Sequence, residues 1–244
     1  MKKKLGLLAL ALTVGMLAGC GSEKTAESSE EKDAVTGAIT VSAAASLTDV
    51  LNELAQTFQE EYPGTEVSFT FGGSGALQTQ IEEGAPVDLF FSAAESNMDA
   101  LEEEGLIDAA TRKDVLQNEI VLIAPQGETA VTSFETILDS EPQIALGEAE
   151  SVPAGKYAQE IFTNLGIWDD VKSHAVFASN VREVLAWAEA GEADCGVVYA
   201  TDAKTSDAVQ VVCNAPADGT LSCGCHQRLR KSRRRSGISG FPHQ

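Results

Sequence analysis

Residues 38–93 read AITVSAAASLTDVLNELAQTFQEEYPGTEVSFTFGGSGALQTQIEEGAPVDLFFSA. Two periodicities alternate along this stretch. Ile39-Thr40-Val41 is a short strand-like apolar run, Glu66–Phe71 alternates apolar and polar residues as a half-buried strand does, and Val87–Phe91 is a third strand. Between them Leu47, Val50, Leu51, Leu54, Ala55, Phe58 and Tyr62 recur at helical spacing until Pro63-Gly64 stops the helix. Ser74 opens a second helix through Leu77 and Ile81, ended by Gly84. Strand, helix, strand, helix, strand predicts an α/β fold with mainly parallel sheets, whose ligands sit beyond the carboxyl ends of the strands.

The alternation continues downstream. Met98 and Leu101 mark a third helix ended by Gly105, and Ile120–Ala124 is a buried strand closed by Pro125. Ile144-Ala145-Leu146 is another strand. The helix after it carries Tyr157, Ala158, Ile161, Phe162 and Leu165 on one face and ends at Gly166. A further helix spans Val181–Ala190 with Val184, Leu185 and Ala188 inward, followed by strands at Gly196–Tyr199 and Val209–Val212. No internal repeat is visible in the sequence.

The two ends of the chain differ from this body. Lys2, Lys3 and Lys4 precede an apolar run, Leu5–Leu17, which is short for a membrane span and has the form of an export signal. It ends in Leu17-Ala18-Gly19-Cys20, which resembles the lipobox of bacterial lipoproteins. That resemblance implies cleavage after Gly19 and lipidation of Cys20, and so a place on the outer face of the cytoplasmic membrane. Residues 21–37 (GSEKTAESSEEKDAVTG) read as a flexible acidic tether.

The chain of 244 residues carries 37 acids against 17 bases, a net charge of −20. Only eight bases lie between residues 21 and 225, against all 37 acids. A body this acidic offers no basic surface to displace counterions from phosphates, which excludes non-specific nucleic-acid binding. Three His and five scattered Cys form no zinc pattern. No cofactor and no bare metal cation are expected. An exported chain permits disulfides among Cys195, Cys213, Cys223 and Cys225, but spacing does not choose a pairing; Cys195 and Cys213 read as small core residues.

Four segments place a small or capping residue where a helix begins: Ser46 with Asp49 three residues on, Gly72-Gly73-Ser74-Gly75, Ser151-Val152-Pro153-Ala154-Gly155, and Asn180 with Glu183. Each alone reads as an ordinary cap. Together, and with few bases nearby, they point to converging helix N-termini. Their unpaired N–H groups and partial positive charge suit a small dianion.

ITVSAAASLTDVLNELAQTF (39–58), FTFGGSGALQTQIEEGAPVDLFFSA (69–93), SVPAGKYAQEIF (151–162) and SNVREVLAWAEAGEADCGVVYATDA (179–203), in that order, resemble the periplasmic molybdate-binding proteins of ABC transporters, over residues 38–214. The resemblance implies the type II periplasmic-binding-protein fold, two α/β lobes joined by crossing strands and closing on the ligand. It implies five positions that contact the anion: Ser46 and Ser74 through hydroxyl and N–H, Ala154 and Val181 through backbone N–H, and Tyr199 through its phenol. It further implies reversible capture of molybdate or tungstate, no catalysis, delivery to an ABC permease, membrane association only through the lipid, and a monomer. Arg182 is tempting as an anion ligand, but the resemblance uses the N–H of its neighbour instead.

The resulting organisation is a signal at 1–19, a lipid-anchored linker at 20–37, a first lobe at 38–118, a second lobe at 119–208, a return strand to the first lobe at 209–215, and a tail at 216–244. The tail, CGCHQRLRKSRRRSGISGFPHQ from residue 223, shows no helical or strand period, and six bases fall within residues 228–235. It reads as a frameshifted or mis-assembled terminus, disordered, with the C-terminal part of the first lobe missing; a solvated basic tail touching anionic lipid is the alternative. For function, the alternatives are a receptor for sulfate or phosphate, an exported hydrolase using Ser46 or Ser74, and a surface adhesion protein. The hydrolase needs a base near the serine, yet His174 is the only His before residue 214 and neither serine lies in a GxSxG motif.

Overall fold

The computed structural model describes residues 35–216 and 223–229, the last stretch by its backbone. The export signal, Cys20, the tether up to residue 34, and tail residues 217–222 and 230–244 lie outside the described residues.

The first lobe begins with β1 (Thr36–Ala44), α1 (Thr48–Glu61), β2 (Gly64–Gly72), α2 (Ser74–Glu82), β3 (Leu89–Ser92), α3 (Glu95–Glu103) and β4 (Lys113–Asn118). The second holds β5 (Ile120–Pro125), β6 (Ile144–Gly147), α4 (Pro153–Asn164), α5 (Trp168–His174), β7 (Ala175–Ala178), α6 (Val181–Glu189), β8 (Cys195–Tyr199), α7 (Ala200–Ala203) and β9 (Val209–Asn214). A last strand, β10 (Cys223–Leu229), rejoins the first lobe. The two five-stranded sheets run β2-β1-β3-β10-β4 and β7-β6-β8-β5-β9.

Each sheet is built on the same three-strand unit. β1 pairs in parallel with β2 and β3, and β6 pairs in parallel with β7 and β8. The remaining neighbours are antiparallel: β10 to β3 and β4, β5 to β8 and β9. The sheets are therefore mixed rather than mainly parallel. The lobes also repeat one another in topology although their sequences show no repeat, because the topology needs only the order of apolar periods and not the same residues.

Residue types explain the layers. In β3, Leu89 packs with Leu47 and Leu51 on the α1 side, whereas Phe90 packs with Leu77, Met98 and Leu101 on the α2–α3 side, as the two-residue period of a strand requires. All four residues of β6 are buried, as expected of a central strand covered on both faces. Its lobe holds the largest core, including Phe134 against Phe162 with ring centroids 5.6 Å apart.

Four expectations change. Val209–Asn214 pairs with β5 in the second sheet, so it is not the return strand; the chain crosses back only after Asn214. The tail contributes β10, inserted between β3 and β4, because an antiparallel ladder needs backbone groups rather than an apolar period. The strands β4 and β7 and the short helix α5 are additional to the sequence reading. Leu47 just before α1 and Leu51 on it are buried while Val50 and Leu54 are 52% and 58% exposed, because the apolar positions span more of the helix than the sheet covers.

The outward crossing is short: Glu119 alone separates β4 from β5. It is tied down by Ala200 N–H to the Glu119 carbonyl at 2.8 Å, Ala215 N–H to the Ile120 carbonyl at 2.9 Å, and Asn118 Nδ2 to Thr201 Oγ1 at 2.6 Å.

Candidate functional site

Six strands point their carboxyl ends at one place. β1 runs out at Ala44 into a short 3-10 turn holding Ser46, β2 at Gly72 before Ser74, and β3 at Ser92 before Ala93. β6 ends at Gly147 before the loop into Pro153-Ala154, β7 at Ala178 before Val181, and β8 at Tyr199. A small cavity lies where they meet. Ser46, Ser74, Ala154, Val181 and Tyr199, drawn from both lobes, all line it. Ala44, Ala45, Gly72, Gly73, Ala93, Val152 and Pro153 complete the wall.

Among the described residues, no Lys, Arg, Asp, Glu or His lines this cavity. Its polarity comes from hydroxyls and backbone. The helix starts there are largely uncapped by side chains: α2 begins after Gly73, α4 after Val152 and α1 after Leu47, none with a side-chain cap bond. Ser46 and Ser74 are thus not N-caps, contrary to the capping pattern of the sequence. Ser151 is not one either, since its hydroxyl donates to Glu148 at 3.2 Å. Only Asn180 caps, its Oδ1 accepting from Arg182 N–H at 3.0 Å and Glu183 N–H at 3.1 Å. Glu183 reaches back to accept from Ser179 N–H and Oγ–H, both at 2.8 Å. The cap engages the second and third N–H groups of α6 and not the first, that of Val181. A helix start leaves such donors to be satisfied by whatever enters.

Ala93, which the sequence reading did not single out, connects two of the five. Its N–H donates to Ser74 Oγ at 3.0 Å, and its carbonyl accepts from the Tyr199 hydroxyl at 3.3 Å. Ser74 is fully buried and Tyr199 is 2% exposed. The serine oxygen is thereby held with its proton available to a neighbour, and the phenol is held across the cleft from its own lobe.

The lobes meet closely around the cavity. Gly75 N–H of α2 donates to the Ser151 carbonyl of the opposite lobe at 2.9 Å. A Cβ on Gly73 would lie 2.7 Å from the Ser151 oxygen and 2.9 Å from the Ser179 oxygen, so the glycine lets the two backbones approach. Just outside the cavity Arg182 pairs with Asp202 at 2.8 Å and Asp49 at 2.7 Å. Its charge is matched by acids and does not line the cavity. Burial pushes the Asp202 carboxyl up to about 6, despite the opposing pull of Arg182.

His174, the base that a hydrolase would need, sits half-buried at the end of α5 with Nδ1 near the Asp170 carbonyl at 3.0 Å, and it does not line the cavity. Among the described residues no group of three His, Cys, Asp or Glu could hold a metal ion. Cys195 is buried and Cys213 half-buried, both with free thiols; burial pushes the Cys195 thiol up to about 12, which makes it a core residue rather than a nucleophile. Cys223 and Cys225 lie in β10, whose side chains are outside the description.

Residues 39–223 match the profile of the family described as bacterial extracellular solute-binding protein. A putative ABC transporter substrate-binding lipoprotein, YvgL, of Bacillus subtilis is 44% identical over 220 residues, 89% of this chain and 83% of that protein. The molybdate-binding protein ModA of Haemophilus influenzae is 40% identical over 191 residues, 76% of this chain and 75% of that protein. Among solved structures, the substrate-binding domain of a putative molybdenum ABC transporter from Clostridium difficile superposes with a TM-score of 0.58 at 38% identity, covering 80% of this chain and 85% of that one.

Proposed function

Because this chain belongs to the bacterial extracellular solute-binding protein family, whose members are non-catalytic receptors working outside the cytoplasm, we propose that it captures molybdate or tungstate and delivers it to an ABC importer. Cys20 anchors it by a lipid to the outer face of the cytoplasmic membrane, and it acts as a monomer. The observation that carries this reading is the cavity at six strand ends, lined from both lobes by Ser46, Ser74, Ala154, Val181 and Tyr199 and, among the described residues, by no charged side chain.

A neutral cage of this kind recognises charge by dipoles. Donors from helix starts and the serine hydroxyls face inward, fixed before the anion arrives, so little reorganisation opposes binding. Hydrogen bonds to a charged partner contribute roughly 1.5–3 kcal/mol each, enough in concert for firm capture yet breakable one at a time. The lining also discriminates. Its described residues include no carboxylate to accept a proton, and phosphate near neutrality still carries one. An anion that is fully deprotonated fits the donors better. Molybdate, tungstate and sulfate all meet that condition, and a rigid set of donors separates them by size.

The ModA proteins of Haemophilus influenzae and Escherichia coli, each 40% identical to this chain, support molybdate over sulfate as the ligand. The test is calorimetric titration of the purified protein with molybdate, tungstate, sulfate and phosphate. Tight binding of the first two, weak binding of sulfate and none of phosphate is expected. Preference for sulfate would make the chain a sulfate receptor, and binding of none would defeat the reading.

A further inference from the structure

We infer that Arg182 is a cross-cleft latch: it is held rigid by its own lobe and pins the closed receptor by seizing Asp49 of the other. This rests on the anion-capture reading above but concerns residues outside the cavity. Three features of the geometry carry it.

The guanidinium is first tethered at home. Its Nε lies 2.8 Å from Asp202 of α7, which is fully buried, and its Nη1 donates to Thr205 Oγ1 at 3.0 Å. Both partners belong to the second lobe, as does Arg182 on α6. A planar fork fixed on two sides leaves its remaining corner aimed in one direction, with less side-chain entropy to lose when that corner finds a partner.

That corner crosses the cleft. Nη2 donates to Asp49 Oδ2 at 2.7 Å and reaches the Ser46 carbonyl at 3.5 Å, both in the first lobe. Asp49 lies in the first turn of α1, and its side chain is 63% exposed, so it is able to keep its hydration when the lobes part. Asp202 is the permanent counter-ion and Asp49 the switchable one.

The latch is also placed to sense occupancy. Arg182 follows Val181, whose backbone lines the cavity, and the carbonyl it touches belongs to Ser46, which lines the cavity from the opposite side. An anion drawing Ser46 and Val181 together brings Asp49 under the fork. Arg182 is thus a positioning residue for anion retention, not an anion ligand.

Asp49→Asn removes the cross-cleft charge while leaving Arg182 paired with Asp202, so no buried charge is stranded. It is expected to raise the molybdate off-rate about two- to fivefold, the range for an exposed ion pair. Asp49→Lys, which sets two cations against each other, is expected to raise it more than tenfold. The on-rate and the melting temperature of the ligand-free protein should stay at wild-type values for Asp49→Asn. Arg182→Lys keeps the charge but loses the fork, and adding Asp49→Asn to it is expected to change the off-rate no further.

A ligand-independent gauge runs alongside. The Gly75 amide bonds across the cleft to Ser151, and its hydrogen exchange in the ligand-free protein should quicken in Asp49→Lys. Failure of the wild-type protein to bind molybdate would defeat the ligand reading, and Gly75 exchange would still decide the latch. Wild-type off-rates together with unchanged Gly75 exchange in both Asp49 variants would overturn the latch itself.

Discussion

Gly75→Ala should separate closure from folding. Gly75 is the second residue of α2 and has no left-handed backbone, so alanine is acceptable to the helix itself. In the closed protein the new Cβ would lie 2.8 Å from the Ser151 Cα and 3.0 Å from the Glu150 and Ser151 carbonyl oxygens, all backbone atoms of the other lobe. Ordinary packing begins near 3.4 Å, so the opposing loop must retreat by about 0.6 Å. That retreat takes the 2.9 Å bond from Gly75 N–H to the Ser151 carbonyl to the edge of hydrogen-bonding distance. Overpacking of this kind costs about 1–3 kcal/mol, and a lost hydrogen bond about 0.5–1.5. A combined penalty of about 1.5–4.5 kcal/mol falls on the closed state only. Since the cavity is complete only when the lobes meet, molybdate affinity should drop about 10- to 1,600-fold at 1.4 kcal/mol per decade. Folding should move the other way, because alanine in a helix is favoured over glycine by roughly 0.5–1 kcal/mol. Calorimetry and a thermal melt of the ligand-free protein measure the two effects. Affinity within twofold of wild type would refute the steric argument, and a melting temperature lowered in proportion to the lost affinity would show that the change damages the lobe rather than the closure.

Ser46→Ala and Ser74→Ala should each weaken molybdate binding by about 1.5–3 kcal/mol in a calorimetric titration, with Tyr199→Phe costing the same or less. Only Ser74→Ala should also lower the melting temperature, because it strands the buried Ala93 N–H that its oxygen accepts at 3.0 Å. Asp202, raised to about 6 from 3.8 chiefly by burial and faced by the charges of Arg182 and Asp49, favours the folded state when protonated. Its contribution is fully present below pH 3.8, is lost as pH rises to about 6, and is constant above, amounting to on the order of 1–3 kcal/mol. Urea melts of wild type and Asp202→Asn between pH 4 and 6.5 should therefore show the wild type losing stability relative to the variant as pH rises; a parallel pair of curves would remove the argument. Cys20→Ala should leave the leader uncut and abolish incorporation of labelled fatty acid, whereas an unlipidated soluble wild type would exclude the anchor.

The elements legible in the sequence are those whose apolar period is long enough to count. The helices at Ser74, Pro153 and Val181 carry inward residues over two turns or more, and β5 and β8 are continuous apolar runs. β4, KDVLQN, and β7, AVFA, are not legible, since the first is exposed along almost its whole length and the second is a four-residue edge. What holds them in place is a neighbour's ladder, which leaves no mark on their own composition. The same reason hides β10. Its residues pair with β3 and β4 across a register shift between Cys225 and His226, and a basic stretch without alternation gives no hint of it. In the site, small residues just after strands are visible as such, and the family resemblance singles out five of them. Ala93, Gly75 and the reach of Arg182 are not visible in either way, because each acts on a partner distant in sequence: Asp49 lies 133 residues before Arg182.

On the proposed function, the repeated three-strand unit explains how so acidic a protein would hold a dianion with no cation among the described residues of the cavity. Each lobe places one strand between two parallel neighbours, so three carboxyl ends emerge side by side on one edge. Right-handed crossovers then bring the following helices back over the sheet, and helix starts collect at that edge with their N–H groups forward. One lobe offers such donors from one side only and leaves the anion half in water, where dipoles contribute little. Two copies facing each other enclose it, and exclusion of water strengthens every N–H and O–H contact at once. Affinity thus depends on closure, and closure on contacts away from the anion: Gly75 on Ser151, Tyr199 on Ala93, and Arg182 on Asp49. The positive charge of Arg182 is balanced by Asp202 and Asp49 and kept outside the cavity. It acts on the lobes rather than on the ligand, so release requires breaking contacts between neutral dipoles and one exposed ion pair, and never separating the anion from a buried cation.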